Sequence, residues 1–277
     1  MIKKFAALLI TAVLTLSFAA CTAPGSAEKA LTAEEIYRKA AEKQSGAETA
    51  DMNIDCVINL SAAGESLSMN MSMRAKSDLS DKENVKLGMA SKISMPNSGE
   101  TEINYAYIGD TIYVETAGIK YKSAVTPEQA QEIMGSSSAN EIMTADIIRD
   151  AELTKDGDNN IINFSFDESL YNDILKNSLG SLGNASGISY EFTEFGGSAV
   201  IDKDYNMKSL KATVKAIMSS DGTGAAESGS ETAETVEISM DMDIKINSVG
   251  EPVEITAPAD AESYTEVSPD ALTASAA

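Results

Sequence analysis

Histidine and tryptophan are absent from the 277 residues, cysteine occurs only twice, and aromatic side chains amount to 5%. Without His the chain lacks the commonest general base and the commonest transition-metal ligand. A thiol nucleophile activated by an imidazole is excluded on the same ground. Few aromatic rings leave little to stack against a sugar. No Walker loop, Gly-x-Ser-x-Gly elbow or CxxC pair occurs. Positive charge is also short, with 21 Lys and Arg against 43 Asp and Glu, a net charge of −22. Such a surface repels phosphate backbones, so nucleic acid is not an expected partner. These absences point to a non-enzymatic protein, with no catalytic residue, metal ligand or cofactor assigned.

What is present begins at the N-terminus. Lys3 and Lys4 precede an apolar run from Phe5 to Leu16. A basic start, a short apolar core and small residues before a cleavage point are the parts of a secretory signal. The run falls short of the roughly 20 apolar residues that span a bilayer. The segment ends Phe18-Ala19-Ala20-Cys21, which resembles the lipobox of bacterial lipoproteins, with Phe18 where Leu is commonest. The resemblance implies a diacylglycerol on the Cys21 sulfur and cleavage after Ala20. Two acyl chains make a stable anchor, each buried CH₂ contributing about 0.8 kcal/mol. Residues 21–31 then read as the lipidated Cys and a flexible tether, since Thr22-Ala23-Pro24-Gly25-Ser26 is small and turn-prone. Removal of Lys3 and Lys4 with the signal takes the net charge from −22 to about −24. The expected location is the extracytoplasmic face of the cell membrane, reached through the lipid. With Cys21 acylated, Cys56 has no disulfide partner.

Thr32 and Glu35 form a capping box that opens a helix with Ile36, Ala40 and Ala41 on its apolar stripe, ending at Gly46. Alternation follows. Met52, Ile54, Cys56, Ile58 and Leu60 share one face; Leu67, Met69, Met71 and Met73 another; Val85, Leu87, Met89, Ile93 and Met95 a third; Ile103, Tyr105 and Tyr107 a fourth. A Gly109-Asp110 turn leads to Ile112 and Val114. This period of two marks strands with one dry and one wet face, which antiparallel sheets tolerate. Mid-chain, Thr126-Pro127-Glu128-Gln129 starts a short helix. A second helix is expected over Asn140–Arg149 and a third from Asp167, with a hairpin around residues 156–160 between them. Long strands return at 188–201 and at Leu210 to Met218. A flexible Gly/Ser-rich loop is expected over 219–232. The last strand sets Val236, Ile238, Met240, Met242, Ile244 and Ile246 against Glu237, Ser239, Asp241, Asp243, Lys245 and Asn247. Residues 32–260 thus read as one α+β domain, and 261–277 as a loose polar tail. The fold class expected is a large curved antiparallel sheet, a half-barrel, with the N-terminal and mid-chain helices covering its concave apolar face.

The anchored Cys, the early helix with Glu34-Glu35-Ile36-Tyr37, the long meander, the mid-chain helices and a closing strand that runs into Val249-Gly250-Glu251-Pro252-Val253 together resemble the LolA-like group. That group includes the periplasmic lipoprotein carrier and mycobacterial lipid-binding lipoproteins, and has relatives in Gram-positive bacteria. The resemblance covers most of residues 31–260 and contains no diagnostic short motif. It implies a half-barrel, a hydrophobic cavity that takes acyl chains in some members, and no catalytic residues.

The methionines are the residues a ligand would meet: Met52, Met69, Met71, Met73, Met89, Met240 and Met242 form a candidate hydrophobic wall, Met being flexible and polarisable. Plain core packing explains the same spacing. Cu(I) binding by thioethers is a third reading, but neighbours at i and i+2 lie roughly 6–7 Å apart, too far to share one ion easily. Cys56, flanked by Ile54 and Ile58, reads as an inert buried thiol. Asp156, Asp158 and Asn160 fit the first ligand positions of a calcium loop, yet Ile161 stands where Gly is needed and Asp167 where Glu is, and a hairpin turn explains them. The expected partners are the membrane, through Cys21, and a hydrophobic small molecule or lipid. The alternative is an envelope interaction protein with a filled core and no ligand.

Overall fold

The computed structural model describes residues 30–96, 99–133, 148–167, 188–220, 235–269 and 271–272. The fold is that of the unit Thr32–Ala277. The signal segment, Cys21, most of loop 219–232 and the helices expected within 140–147 and after Asp167 lie outside the described residues.

Helix α1 (Ala33–Ser45) starts as its capping box dictates. Thr32 Oγ1 accepts from Glu35 N, and Glu35 Oε2 accepts from Thr32 N at 2.8 Å. Its apolar positions Ala33, Ile36, Tyr37, Ala40 and Ala41 recur at helical spacing and are all buried. Six strands follow: β1 (Thr49–Ala62), β2 (Glu65–Asp78), β3 (Lys86–Met95), β4 (Gly99–Ile108), β5 (Thr111–Thr116) and β6 (Ile119–Ala124). Helix α2 (Pro127–Ile133) comes next, capped reciprocally by Thr126 and Gln129. Then come β7 (Ile148–Asp156), β8 (Asn159–Phe166), β9 (Ile188–Ile201), β10 (Met207–Ser220), β11 (Thr235–Val249), a short 3-10 turn Ala261–Ser263 and β12 (Thr265–Glu266).

All twelve strands form one open sheet in the order β12-β6-β5-β4-β3-β2-β1-β11-β10-β9-β8-β7. The first meander (β1 to β6) and the second (β7 to β11) are joined where β1 pairs antiparallel with β11. Every described pairing is antiparallel except β12 on β6. The β1–β2 hairpin turns on Ala63 and Gly64, both at positive φ (51° and 85°), the twist-matched turn that two-residue hairpins favour. Strands of 14 residues in so wide a sheet twist and coil, which fits the expected curvature, while β7 and β12 are the outer strands among the described residues.

Three expectations change. The helix expected over Asn140–Arg149 gives way by Ile148 to strand β7. A bulge between Arg149 and Glu152, with Asp150 at φ 50°, hides the alternation there. Strand β10 continues to Ser220, into the stretch expected to be loop. The tail expected to be loose is docked through residue 272. Tyr264 is buried against Tyr113 with ring centroids 5.5 Å apart, β12 pairs with β6, and Leu272 sits in the core.

Both described helices pack on the same sheet face, at opposite ends. Helix α1 lies against β7, β9 and β10, with the Tyr37 ring edge-on to Phe164 at 5.4 Å. Beneath it Ile162, Ala199, Leu210 and Ile244 are closed off from solvent. At the other end Ala130 of α2 and Leu272 pack with Leu87, Tyr107, Ile112, Val114 and Val125. Of the helical cover expected on the apolar face, the N-terminal helix is described at one end and one mid-chain helix, α2, at the other.

Candidate ligand-binding face

Between the two packed ends runs the seam of β1 and β11, and the register there decides which side chains meet. Alternation puts Met52, Ile54, Cys56, Ile58 and Leu60 of β1 on the apolar face. Across from them on β2 stand Ala75, Met73, Met71, Met69 and Leu67. On β11 stand Ile246, Ile244, Met242, Met240 and Ile238. Cys56 is therefore flanked by Met71 and Met242, and Ile58 by Met69 and Met240. Met89 joins through Ala75 on one side and Tyr105 on the other. All seven expected wall residues thus lie on one face of adjacent strands.

Ranks extend across the strands. The rank of Cys56 continues through Met242, Ala212 and Gly197 to Phe164. The rank of Ile58 continues through Met240 and Val214 to Phe195. Phe164, Phe166, Phe192 and Phe195 form a chain of ring contacts with centroids 4.6 to 5.6 Å apart. The apolar face therefore has an aromatic end on β8 and β9 and a thioether middle.

Burial is graded along it. Ile54, Cys56 and Ile244 are buried, whereas the seven Met side chains are half-buried and Leu67 is 43% exposed. Burial, with the charge of Asp241 adding to it, pushes the Cys56 thiol above its ordinary value. The thiol is free and protonated at neutral pH, a small hydrophobe in the wall. Tyr37, wholly buried on the sheet-facing side of α1, is pushed up to about 12 by desolvation. The Asp156–Asn160 stretch is a hairpin: Gly157 turns at φ 58° and Asn160 is a buried strand residue opposite Ile201.

The opposite face carries what the sequence reading did not anticipate. Asp51, 8% exposed, takes Arg74 Nε at 3.1 Å and Nη2 at 2.7 Å, and Asn247 Nδ2 at 2.9 Å. The Arg74 guanidinium holds its carboxyl below the usual range. The segment after β11 crosses this face: Lys76 Nζ donates to Glu254 O, Ile255 lies over Gly88, and Lys120 pairs with Asp260. An odd-position Asp in a strand reads as wetted, and only the register reveals that Arg74, opposite Asn53, stands one step diagonally from it.

A family model described as DUF6612, a family of unknown function, matches residues 32–266, from the cap of α1 to the end of β12. The chain belongs to this family. No curated protein matches it. Among solved structures, LprF from Mycobacterium bovis is similar over 82% of this DUF6612 chain and 96% of its own, at 13% identity and a TM-score of 0.36. The lipoprotein LppX from Mycobacterium tuberculosis is similar over 81% and 98%, at 11% identity and a TM-score of 0.34. A LolA superfamily protein from Nitrosomonas europaea is similar over 78% and 94%, at 14% identity and a TM-score of 0.21.

Proposed function

We propose that this protein is a lipid-anchored, extracytoplasmic, non-enzymatic lipoprotein that holds a hydrophobic, lipid-like ligand against its methionine-lined face. One observation carries the reading. Met52, Met69, Met71, Met73, Met89, Met240 and Met242 converge on adjacent strands, yet stay half-buried. A contiguous apolar surface left partly in water favours a partner that removes it from water, and thioethers adapt to varied apolar shapes. Anchoring rests on the signal-like residues 1–20 and on Cys21. A second reading, a filled core with no ligand, draws on the closed packing under α1, where Ile162, Ala199 and Leu210 are 0% exposed.

Native mass spectrometry and solvent extraction of the full chain purified from its host separate the two. Co-purified lipid that is lost in a Met71→Asp, Met240→Asp variant of native circular dichroism supports the ligand reading. Lipid-free protein, with cellular crosslinks to one protein partner, favours the filled core. A diacylglyceryl adduct on Cys21, absent after Cys21→Ser, tests the anchor.

A further inference from the structure

The polar face of the same sheet contains a trough of about 450 Å³ over β11, β1, β2, β3 and β4. Its floor is made by small residues, Ser72 and Ala90, between long ones. Two neighbouring ranks run through it, and they differ in charge. In the first, Lys245 stands opposite Asn53, Asn53 opposite Arg74, and Ala90 leads on to Asn104. In the second, Asp243 stands opposite Asp55, and Ser72 and Lys92 lead on to Glu102. The first rank is cationic and donor-rich. The second is mainly acidic, because Lys92 is already held by Glu100 and Glu102 at 2.9 and 3.0 Å.

Arg74 is positioned from below. Asp51 occupies its Nε and Nη2, so the guanidinium is fixed in orientation while its side chain stays 54% exposed, with the two N–H groups of Nη1 left over. Lys245 and Asp55 both line the trough, and neither has an ion-pair partner among the described residues. Asp243, at the end of the acidic rank, is held through Oδ2 by Lys211 Nζ at 3.3 Å, which leaves Asp55 as the carboxylate of that rank without an ion-pair partner among the described residues. In a chain of net charge −22, unpaired cation and unpaired carboxylate side by side on one floor is an arrangement for a ligand bearing both charges.

We propose that this trough binds a short peptide with both termini free, its carboxylate toward Lys245 and Arg74 and its ammonium toward Asp55. The dimensions agree: ranks two residues apart along a strand are about 6.7 Å apart, and an extended dipeptide spans about 7 Å. The volume lies within the range of small-ligand sites, about 300–1,000 Å³. The inference stands apart from the lipid reading, since the two sites occupy opposite faces of the sheet.

The test is calorimetric titration of the full chain in detergent with alanylalanine, its N-acetyl form and its C-terminal amide. The free dipeptide should bind one to one, and each blocked form about tenfold or more weakly, the size of one lost charge-assisted hydrogen bond. Lys245→Gln should reduce the discrimination against the amide, Arg74 retaining the rest, and Asp55→Asn should abolish that against the acetylated form. No binding of the free dipeptide at millimolar concentration overturns the proposal, as does equal binding of all three. The ligand series on the unaltered protein decides the matter even if a variant fails to fold.

Discussion

Gly197 offers a sharp test of the packing that supports the apolar face. It lies on β9 between Phe164 of β8 and Ala212 of β10. A Cβ added there would overlap the Lys211 carbonyl oxygen and meet two carbons of the Phe164 ring at 3.2 Å. The ring can swing aside, but the carbonyl is backbone in the β9–β10 ladder. Room is made only by moving β10, with loss of a ladder hydrogen bond. Overpacking costs about 1–3 kcal/mol and the lost bond about 1 kcal/mol, offset by about 0.4–1 kcal/mol from the stiffer unfolded chain. Gly197→Ala should therefore destabilise by about 1–3.5 kcal/mol. Gly88→Ala is the control, since its Cβ would meet Ile255 Cγ2 at 3.4 Å and Lys76 Cβ at 4.0 Å, ordinary contacts. Its effect should stay within about 0.5 kcal/mol. Equilibrium urea unfolding followed by circular dichroism compares the midpoints. If Gly197→Ala matches Gly88→Ala, the close approach of these three strands is refuted.

Three further outcomes are expected. The Cys56 thiol, 5% exposed and raised by burial, should resist a disulfide reagent at neutral pH until denaturant is added; rapid labelling of the native protein would contradict its place in the wall. Asp51→Asn should cost about 1.5–3 kcal/mol at neutral pH through the weakened Arg74 bonds. Because the folded carboxyl is depressed below the ordinary carboxylate range by the Arg74 guanidinium, its contribution is present above the unfolded pKa and fades as pH falls through the folded one. The stability gap to wild type should shrink in acid, and a constant gap would show that the charge is not what matters. Leu272→Ala should cost about 2–4 kcal/mol by opening a cavity beside Tyr107 and Ile112; an unchanged melting temperature would mean the tail is not docked.

The long strands were legible because alternation is strong where one face is packed and the other wetted: β1, β2, β3 and β11 follow it with few exceptions, Val57 on the polar face and Ser91 on the apolar face among them. Both capping boxes were legible from four residues each, since their chemistry is local. Strand β6 was not, because its inward position Ser123 is polar although buried, while Ile119 is 52% exposed. Strand β12 has two residues and no period to detect. Tyr264 and Leu272 are single apolar residues in polar sequence, and their burial depends on partners more than 100 positions away, Tyr113 and Leu87 among them. The polar trough was invisible for a related reason. Each of its residues reads as an ordinary wetted strand position, and only cross-strand register gathers Lys245, Arg74 and Asp55 around Ser72 and Ala90.

Why the methionines fall at the seam follows from dimensions. Twelve strands at about 4.8 Å spacing make a sheet about 53 Å wide. Helix α1, of 13 residues, is about 20 Å long, and α2, of 7, about 10 Å. Even laid end to end across the strands, the described helices leave about 20 Å of apolar face, four strand spacings, without helical cover. Each helix is tied to its own meander, α2 to the first by the short link from β6 and α1 to the second by Tyr37 on Phe164. The strip between them is β1 with β11 and β2, where the two meanders join. Rigid branched side chains there would set one shape for whatever lies on the strip. Met71, Met73, Met240 and Met242, unbranched and with several rotatable bonds each, set none, which is the property the proposed ligand face requires, while Ile54, Cys56 and Ile244 in the same ranks are buried.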